Sequence, residues 1–301
     1  MIAYSIIIAH KNIPQLLERC LDSIPQRADI QVIVVDDGSS PETVDFDHFP
    51  GKHRDNVELY FSPRSGGTGY ALNLGLEHAR GKWVMFIGAD DFFAEELNAF
   101  LDRMVDAEED MIIFSHRSVL SSDISVSVDR SAYLRKMILD YQMGRIDENA
   151  IRCRYVVVTC KLIRRDLIEK HHIRFHETMW SNDNFFSAQV SCLAESIRVC
   201  DDIIYVMTAR EKSLTSDFCG TRKEAMTRLQ EAVESDKLYR KYGLSRGDVL
   251  TNTVLSKIYK RHGYWECVGY CLSALPNWSV FKAMARSLVL KTRNHFRKKY
   301  L

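Results

Sequence analysis

Two pairs of adjacent carboxylates stand just behind apolar runs in this chain. Asp36 and Asp37 follow QVIVV, and Asp90 and Asp91 follow WVMFI after Gly88 and Ala89. If these runs are strands of a parallel sheet, both pairs lie at carboxyl ends, where such sheets bind their ligands. Acids gathered at one crevice repel one another, and the usual compensation is a divalent cation with oxygen ligands. Either pair alone also suits a turn or a helix cap, because Asp, Gly, Ser and Pro favour such places; their repetition at equivalent positions favours chemistry. Between them, Ser65-Gly66-Gly67-Thr68-Gly69 opens a helical stretch. A glycine-rich entry of this kind can bring backbone N–H groups up to phosphate. Its spacing is neither that of a P-loop nor that of the dinucleotide fingerprint, and a flexible loop with Thr68 as a helix cap fits it equally well.

The elements that must position these residues follow from hydrophobic periodicity. Tyr4 to Ala9, Ile30 to Val35, Val57 to Phe61, Trp83 to Ile87 and Met111 to Phe114 read as strands. Pro14 to Ile24, Gly69 to Ala79 and Ala94 to Val105 carry apolar residues at helical spacing and fall between them. Strand and helix alternate, which predicts an α/β fold with a mostly parallel sheet, and the continuous apolar strands predict a sheet covered on both faces. Beyond Ser118 the rhythm loosens, with helices expected at Ser131 to Tyr141, Arg165 to His171 and Asp183 to Ala194 and a late strand at Arg198 to Val206. After Ser216 the pattern is helical, best at Thr221 to Tyr242, Arg246 to Arg261 and Trp278 to Lys299. This change divides the chain into residues 1–215 and a helical region, 216–301.

Composition narrows the class. Forty-one Lys and Arg against 40 Asp and Glu leave a net charge of +1, so nothing in the whole-molecule charge points to nucleic acid. The eight cysteines lack Cys-x-x-Cys pairs or zinc-finger spacing and read as reduced thiols. No signal-peptide pattern opens the sequence, and no apolar run reaches the ~18 residues of a membrane span; a cytoplasmic protein is expected. The segment from Trp278 sets an apolar stripe of Trp278, Phe281, Met284, Ala285 and Leu288 beside Lys282, Arg286, Lys291, Arg293, Arg297, Lys298 and Lys299. Such a helix can lie at the inner face of an anionic membrane, or pack on the rest of the protein with its basic face solvated.

Taken in order, these segments resemble the family 2 glycosyltransferases, whose catalytic domain has the nucleotide-sugar-binding GT-A fold. YSIIIAHKN resembles that family's first strand and its Pro-x-Tyr-Asn loop, and VIVVDDGSS its second strand with the Asp-Asp-Gly-Ser turn. SGGTGYALNLGLEHARGKWVMFIGADD is similar to the run through an Ala-Arg-Asn-x-Gly helix into a metal-binding Asp-x-Asp. CKLIRRDLIEKHHIRFHE, NDNFF and IYVMTAREKSLT continue the likeness to about Thr215.

The resemblance implies an inverting transferase that moves a sugar from a nucleotide diphosphate donor, expected to be a UDP-sugar, to an acceptor hydroxyl. The acceptor would be a saccharide or lipid-linked saccharide in surface polysaccharide or glycoconjugate synthesis. It places Ala9, Lys11, Asn12, Asp37, Gly67, Asn73, Asp90 and Asp91 at the donor. Asp37 would meet the base or ribose, and Asp90 would ligate Mn²⁺ or Mg²⁺ on the diphosphate. Asp183, at an expected helix start, would be the general base; by its residue type alone it reads as a helix cap. The chain departs from the pattern at Gly88, where the first Asp of Asp-x-Asp would stand, and at Ala9, Lys11, Leu72 and Asn182. Two other classes share these features: a nucleotidyltransferase that makes nucleotide sugars, and a noncatalytic binding protein on the same fold.

Overall fold

The computed structural model describes residues 2–130, 132–210, 220–273, 278 and 281–289. In chain order the elements are β1 (Tyr4–His10), α1 (Pro14–Asp22), β2 (Ile30–Asp36), β3 (Val57–Phe61), α2 (Thr68–His78), β4 (Trp83–Gly88), β5 (Phe92–Phe93), α3 (Leu97–Met104) and β6 (Met111–Leu120). There follow α4 (Ala132–Gln142), α5 (Glu148–Arg154), β7 (Lys161–Arg164), α6 (Arg165–Lys170), α7 (Asn182–Leu193), β8 (Ile197–Ala209), α8 (Arg222–Lys241) and α9 (Val249–Ser273).

All eight strands join one sheet in the order β3-β2-β1-β4-β7-β6-β8-β5. β3, β2, β1 and β4 are mutually parallel, and their register puts Ala9 beside Val35 and Gly88, with His10 beside Asp36. The four strands therefore end level with one another, and the loops behind them share one rim. β7 runs antiparallel to both β4 and β6. Its first residue, Lys161, consequently enters the sheet on the side where β1, β2 and β4 leave it.

Ile6, Ile7 and Ile8 of β1 and Val32 to Val35 of β2 are fully buried or nearly so, which is why these strands show no polar alternation. Each such side chain taken from water contributes about 1.5–3 kcal/mol before the entropy cost of ordering it. α2 lies close on this layer: a Cβ at Gly75 would overlap the Ile7 side chain. A second apolar cluster joins Leu229 and Val233 of α8 and Leu255 and Ile258 of α9 to Cys153 of α5 and Ala188 of α7. The division expected at residue 215 falls within 211–219, outside the described residues.

The parallel half matches the periodicity closely. The later half adds β5, α5 and β7, which periodicity did not predict; β7 is four residues long and begins with a buried lysine. The helix expected from Ala94 begins at Leu97, because Phe92 and Phe93 pair with Val206 and Tyr205 of β8 and the chain must turn first. The strand expected at Met111 to Phe114 extends to Leu120, since the polar SHRSVL stretch is paired along β8. The helix expected over Arg246 to Arg261 runs as α9 to Ser273, interrupted at Gly263, where φ is +81°. Among the described residues no helix is long and apolar enough to cross a membrane. Of the C-terminal stripe, residues 281–289 are helical, and Phe281, Met284 and Leu288 pack on the second cluster. The basic run from Lys291 to Lys299 lies outside the described residues.

Candidate active site

Consecutive residues at a strand end face opposite ways, and the two acids behind β2 do different work. Asp36 is buried and accepts from the Ser39 N–H at 2.8 Å and from the Ser39 hydroxyl. His10 Nδ1 lies 2.8 Å from Asp36 Oδ1, the oxygen that also accepts the Ser39 hydroxyl, while His10 Nε2 accepts the Ile13 N–H at 3.2 Å. An Nε2 that accepts leaves the ring proton on Nδ1, donated to Asp36. Burial works against the ionised form, but the His10 and Ser39 bonds hold the Asp36 carboxyl below the usual carboxylate range. Asp36 thus fixes the turn. Asn12, at φ +57°, joins it: its N–H donates to Ser39 Oγ and its side-chain oxygen accepts the Ser40 N–H, both at 2.8 Å.

Asp37 faces the glycine-rich loop. Its carboxylate accepts the N–H groups of Gly66 at 2.7 Å and Gly67 at 3.0 Å, and the Ser65 hydroxyl at 3.1 Å. Lys11 donates to Ser65 Oγ and stands 3.7 Å from Asp37. The amides that the sequence offered to phosphate are thus bonded to Asp37 in this structure, and Gly67, at φ +85°, rather than Thr68, is the cap residue of α2. Asn73, expected at the donor, is bonded to the backbone of a later segment. Its amide donates to the Phe175 carbonyl at 2.9 Å and accepts the Phe175 N–H at 2.8 Å, so it ties α2 to the segment leading to Asp183. Gly69 makes this approach possible, since a Cβ there would overlap the His176 carbonyl and crowd the Asn182 amide.

Behind β4 the division of labour recurs. Asp91 is bonded by the Tyr205 hydroxyl and by the Thr208 N–H at 2.6 Å, and Tyr205 in turn accepts the Gly88 N–H at 3.2 Å. Burial, with the charge of Asp90 beside it, pushes the Asp91 carboxyl up to about 7. Asp90 keeps a partly exposed carboxylate, paired with Arg210 at 3.0 Å. Its carbonyl oxygen is held by Arg19 at 2.6 Å and the Thr208 hydroxyl at 2.8 Å. Gly88 leaves room here: a Cβ would lie 3.0 Å from Asp90 Oδ1 and 3.2 Å from Asp91 Oδ2.

Asp183 sits in the first turn of α7. Burial pushes its carboxyl above the usual range, Lys161 and Arg228 pull it back, and Glu231 adds to the rise. Lys161 is fully buried, donates to the Tyr155 carbonyl at 2.9 Å, and is brought down to about 7 by burial, against the hold of Asp183. Its neighbour Cys160 feels the Asp91 carboxylate. The start of β7 therefore bridges the two acidic regions electrostatically, while Asn73 and Gly69 bridge Asp37 to the Asp183 segment through α2. Lys161, Tyr205, Arg210 and Arg19 were given no role from the sequence. Lys161, Tyr205 and Arg210 did fall inside the motif stretches, and the apolar residues around the lysine are the signal that could have marked the first.

Whether these residues suit a divalent cation is decided by charge. Burial, and after it the charge of Asp90, raises Asp91, and Asp90 retains an oxygen beside the one that faces Arg210. Among the described residues no three His, Cys, Asp or Glu side chains gather as a metal cluster. That donor set fits a cation such as Mg²⁺ or Mn²⁺, which takes one or two carboxylates and completes its shell with phosphate oxygens and water.

The family model described as Glycosyl transferase family 2 matches residues 5–171. The Bacillus subtilis (strain 168) protein called Uncharacterized glycosyltransferase EpsJ is 24% identical over 215 residues, which cover 70% of this chain and 62% of EpsJ. The chain thus spans less than two thirds of that relative. The crystal structure of Staphylococcus aureus TarS 1–349 in complex with UDP-GlcNAc superimposes with a TM-score of 0.65 at 19% identity, over 95% of this chain and 82% of that one. The mannosyltransferase PcManGT from Pyrobaculum calidifontis, in complex with GDP-Man and Mn²⁺, does so with a TM-score of 0.54 at 18% identity, over 96% and 86%.

Proposed function

Because the chain belongs to glycosyl transferase family 2 and carries the GT-A fold, we propose that it is an inverting glycosyltransferase that moves a sugar from a nucleotide diphosphate donor to an acceptor hydroxyl. The observation that carries this reading is the placement of Asp37, Asp90 and Asp183 at the carboxyl side of the sheet. They are linked there by the α2 tether and by the start of β7. Asp37 and the loop it organises receive the nucleoside. Asp90 would hold a divalent cation on the diphosphate, where it would supply electrostatic stabilisation of the departing charge. Lys11 and Arg210 stand at the same rim and add positive charge there. Asp183 accepts the proton of the acceptor hydroxyl as that oxygen attacks the anomeric carbon from the face opposite the diphosphate, so the new bond has the inverted configuration.

A UDP-sugar is the proposed donor, supported by the fold shared with a UDP-GlcNAc complex. Turnover of a panel of UDP-, GDP- and dTDP-sugars, followed by released nucleoside diphosphate, tests the whole reading. We expect one UDP-sugar to be consumed with Mn²⁺, turnover to stop on chelation, and Mn²⁺ to restore it. Release of pyrophosphate would instead identify a nucleotidyltransferase, and binding without turnover a noncatalytic relative.

The acceptor is proposed to be a saccharide or lipid-linked saccharide, reached at the inner face of a membrane. Support comes from exposed aromatic side chains on the helical region, Trp265 and Trp278, the latter with Lys282 over its ring, and from the basic C-terminal sequence. Both residue types favour an anionic interface. The full chain should sediment with phosphatidylglycerol vesicles at low salt and not with phosphatidylcholine alone. A variant with Arg297, Lys298 and Lys299 changed to Glu should remain in the supernatant; equal sedimentation of the two would remove the membrane from the proposal.

A further inference from the structure

Four residues separate His176 from Ser181, and α8 grips both ends. At the near end, His176 Nδ1 lies 3.0 Å from Glu231, and the His176 ring stacks on Phe185 of α7 at 4.2 Å. At the far end, Arg228 Nη1 donates to Ser181 Oγ at 3.0 Å. Glu224, Arg228 and Glu231 are each about 95% buried or more and share one face of α8. Glu224 receives the Arg228 Nε–H at 2.8 Å and also the Gly220 N–H at 3.1 Å, so the guanidinium is held in a fixed direction.

Ser181 is where this grip matters. It precedes α7 with φ +56° and ψ +25°, the left-handed region that L side chains rarely adopt, and its own hydroxyl makes no capping bond to the helix. A residue in that conformation persists only when its surroundings impose it, and such residues cluster at functional sites. The imposed turn sets the direction in which α7 starts, and Asp183 is its second residue.

We propose that Arg228 is a positioning residue for Asp183: by holding Ser181 in the left-handed turn, it aims the carboxylate that the proposed function assigns as base. The inference rests on that assignment, but the clamp itself can be observed separately. The fall in Asp183 basicity that a nearby guanidinium causes agrees with this placement.

Ser181→Ala removes the hydroxyl that Arg228 holds, keeps the Cβ that makes the left-handed turn costly, and leaves the buried Glu224–Arg228 pair intact. Ser181→Gly also removes the hydroxyl, but glycine adopts this turn freely. With UDP-GlcNAc and Mn²⁺ as the first probe, and otherwise the UDP-sugar returned by the panel, Ser181→Ala should lower kcat by about 10- to 100-fold, the scale of a misplaced reacting group. Donor KM should not move. Ser181→Gly should recover most of the loss, and Arg228→Lys, which keeps a positive charge beside Glu224, should behave like Ser181→Ala. Hydrogen exchange of the peptide spanning 176–183 should quicken in Ser181→Ala and Arg228→Lys while the sheet strands stay protected. If Asp183→Asn abolishes turnover but Ser181→Ala leaves kcat unchanged, or if Gly and Ala lose equally, the positioning role is wrong. If exchange quickens as expected but Asp183→Asn retains full turnover, the clamp is present and the assignment of Asp183 as base falls instead.

Discussion

Asp183→Asn should reduce sugar transfer by about 100-fold or more while donor KM stays within about twofold, the pattern of a lost proton acceptor. The amide keeps the shape of the carboxylate and can still lie in the first turn of α7, so the fold should be retained. Removing a charge that is disfavoured by burial gives no reason for destabilisation. The pH dependence makes the assignment sharper. A base must be ionised to act, so kcat should rise with pH through the Asp183 titration, and burial places that titration above the usual carboxylate range. The acidic limb of the kcat profile should vanish in Asp183→Asn, leaving a low, flat residue of activity. A parallel loss of donor affinity, or an acidic limb that persists unchanged, would make Asp183 a structural residue.

Asp90→Asn should be more damaging still, with Mn²⁺-dependent donor turnover falling on the order of 1000-fold, the upper range for deleting one electrostatic contact to a developing charge. Thermal stability should change little, because the side chain is partly exposed and its loss removes a charge that adds to the effect of burial on Asp91. The measurement is turnover across a Mn²⁺ titration: a displaced titration curve would show weakened metal affinity, and a lowered plateau a lost role in charge stabilisation. Full activity in the variant at ordinary Mn²⁺ would remove Asp90 from the metal.

The parallel half of the sheet was legible because β1, β2 and β4 are buried on both faces and each carries an unbroken apolar run of four or more residues. The acids behind them were legible as pairs but not as individuals. Sequence could not tell that Asp36 is committed to His10 and Ser39 while Asp37 holds the glycine loop, since that depends on which face each side chain takes. The backbone partner of Asn73 was hidden for a related reason: an amide suited to a ligand is equally suited to a backbone, and the partner, Phe175, lies about 100 positions away. β7 was hidden because four residues carry no period, and its leading lysine reads as surface until the neighbours that bury it are known. The roles of Glu224, Arg228 and Glu231 were hidden likewise, for charged residues on a long helix are ordinarily solvated, and here one polar face is turned inward.

The span matched by the family model ends at residue 171, before Asp183 and before α8. The aliphatic contacts that seat α8 and α9 reach back to Cys153 and Ala188, on either side of that limit. The C-terminal helices therefore share one apolar cluster with α5 and α7. In any recombination that exchanged them between relatives, the orientation of the proposed base would travel with the incoming helix. Lineages free to vary the acceptor through this region would have to vary it without disturbing one inward-facing arginine.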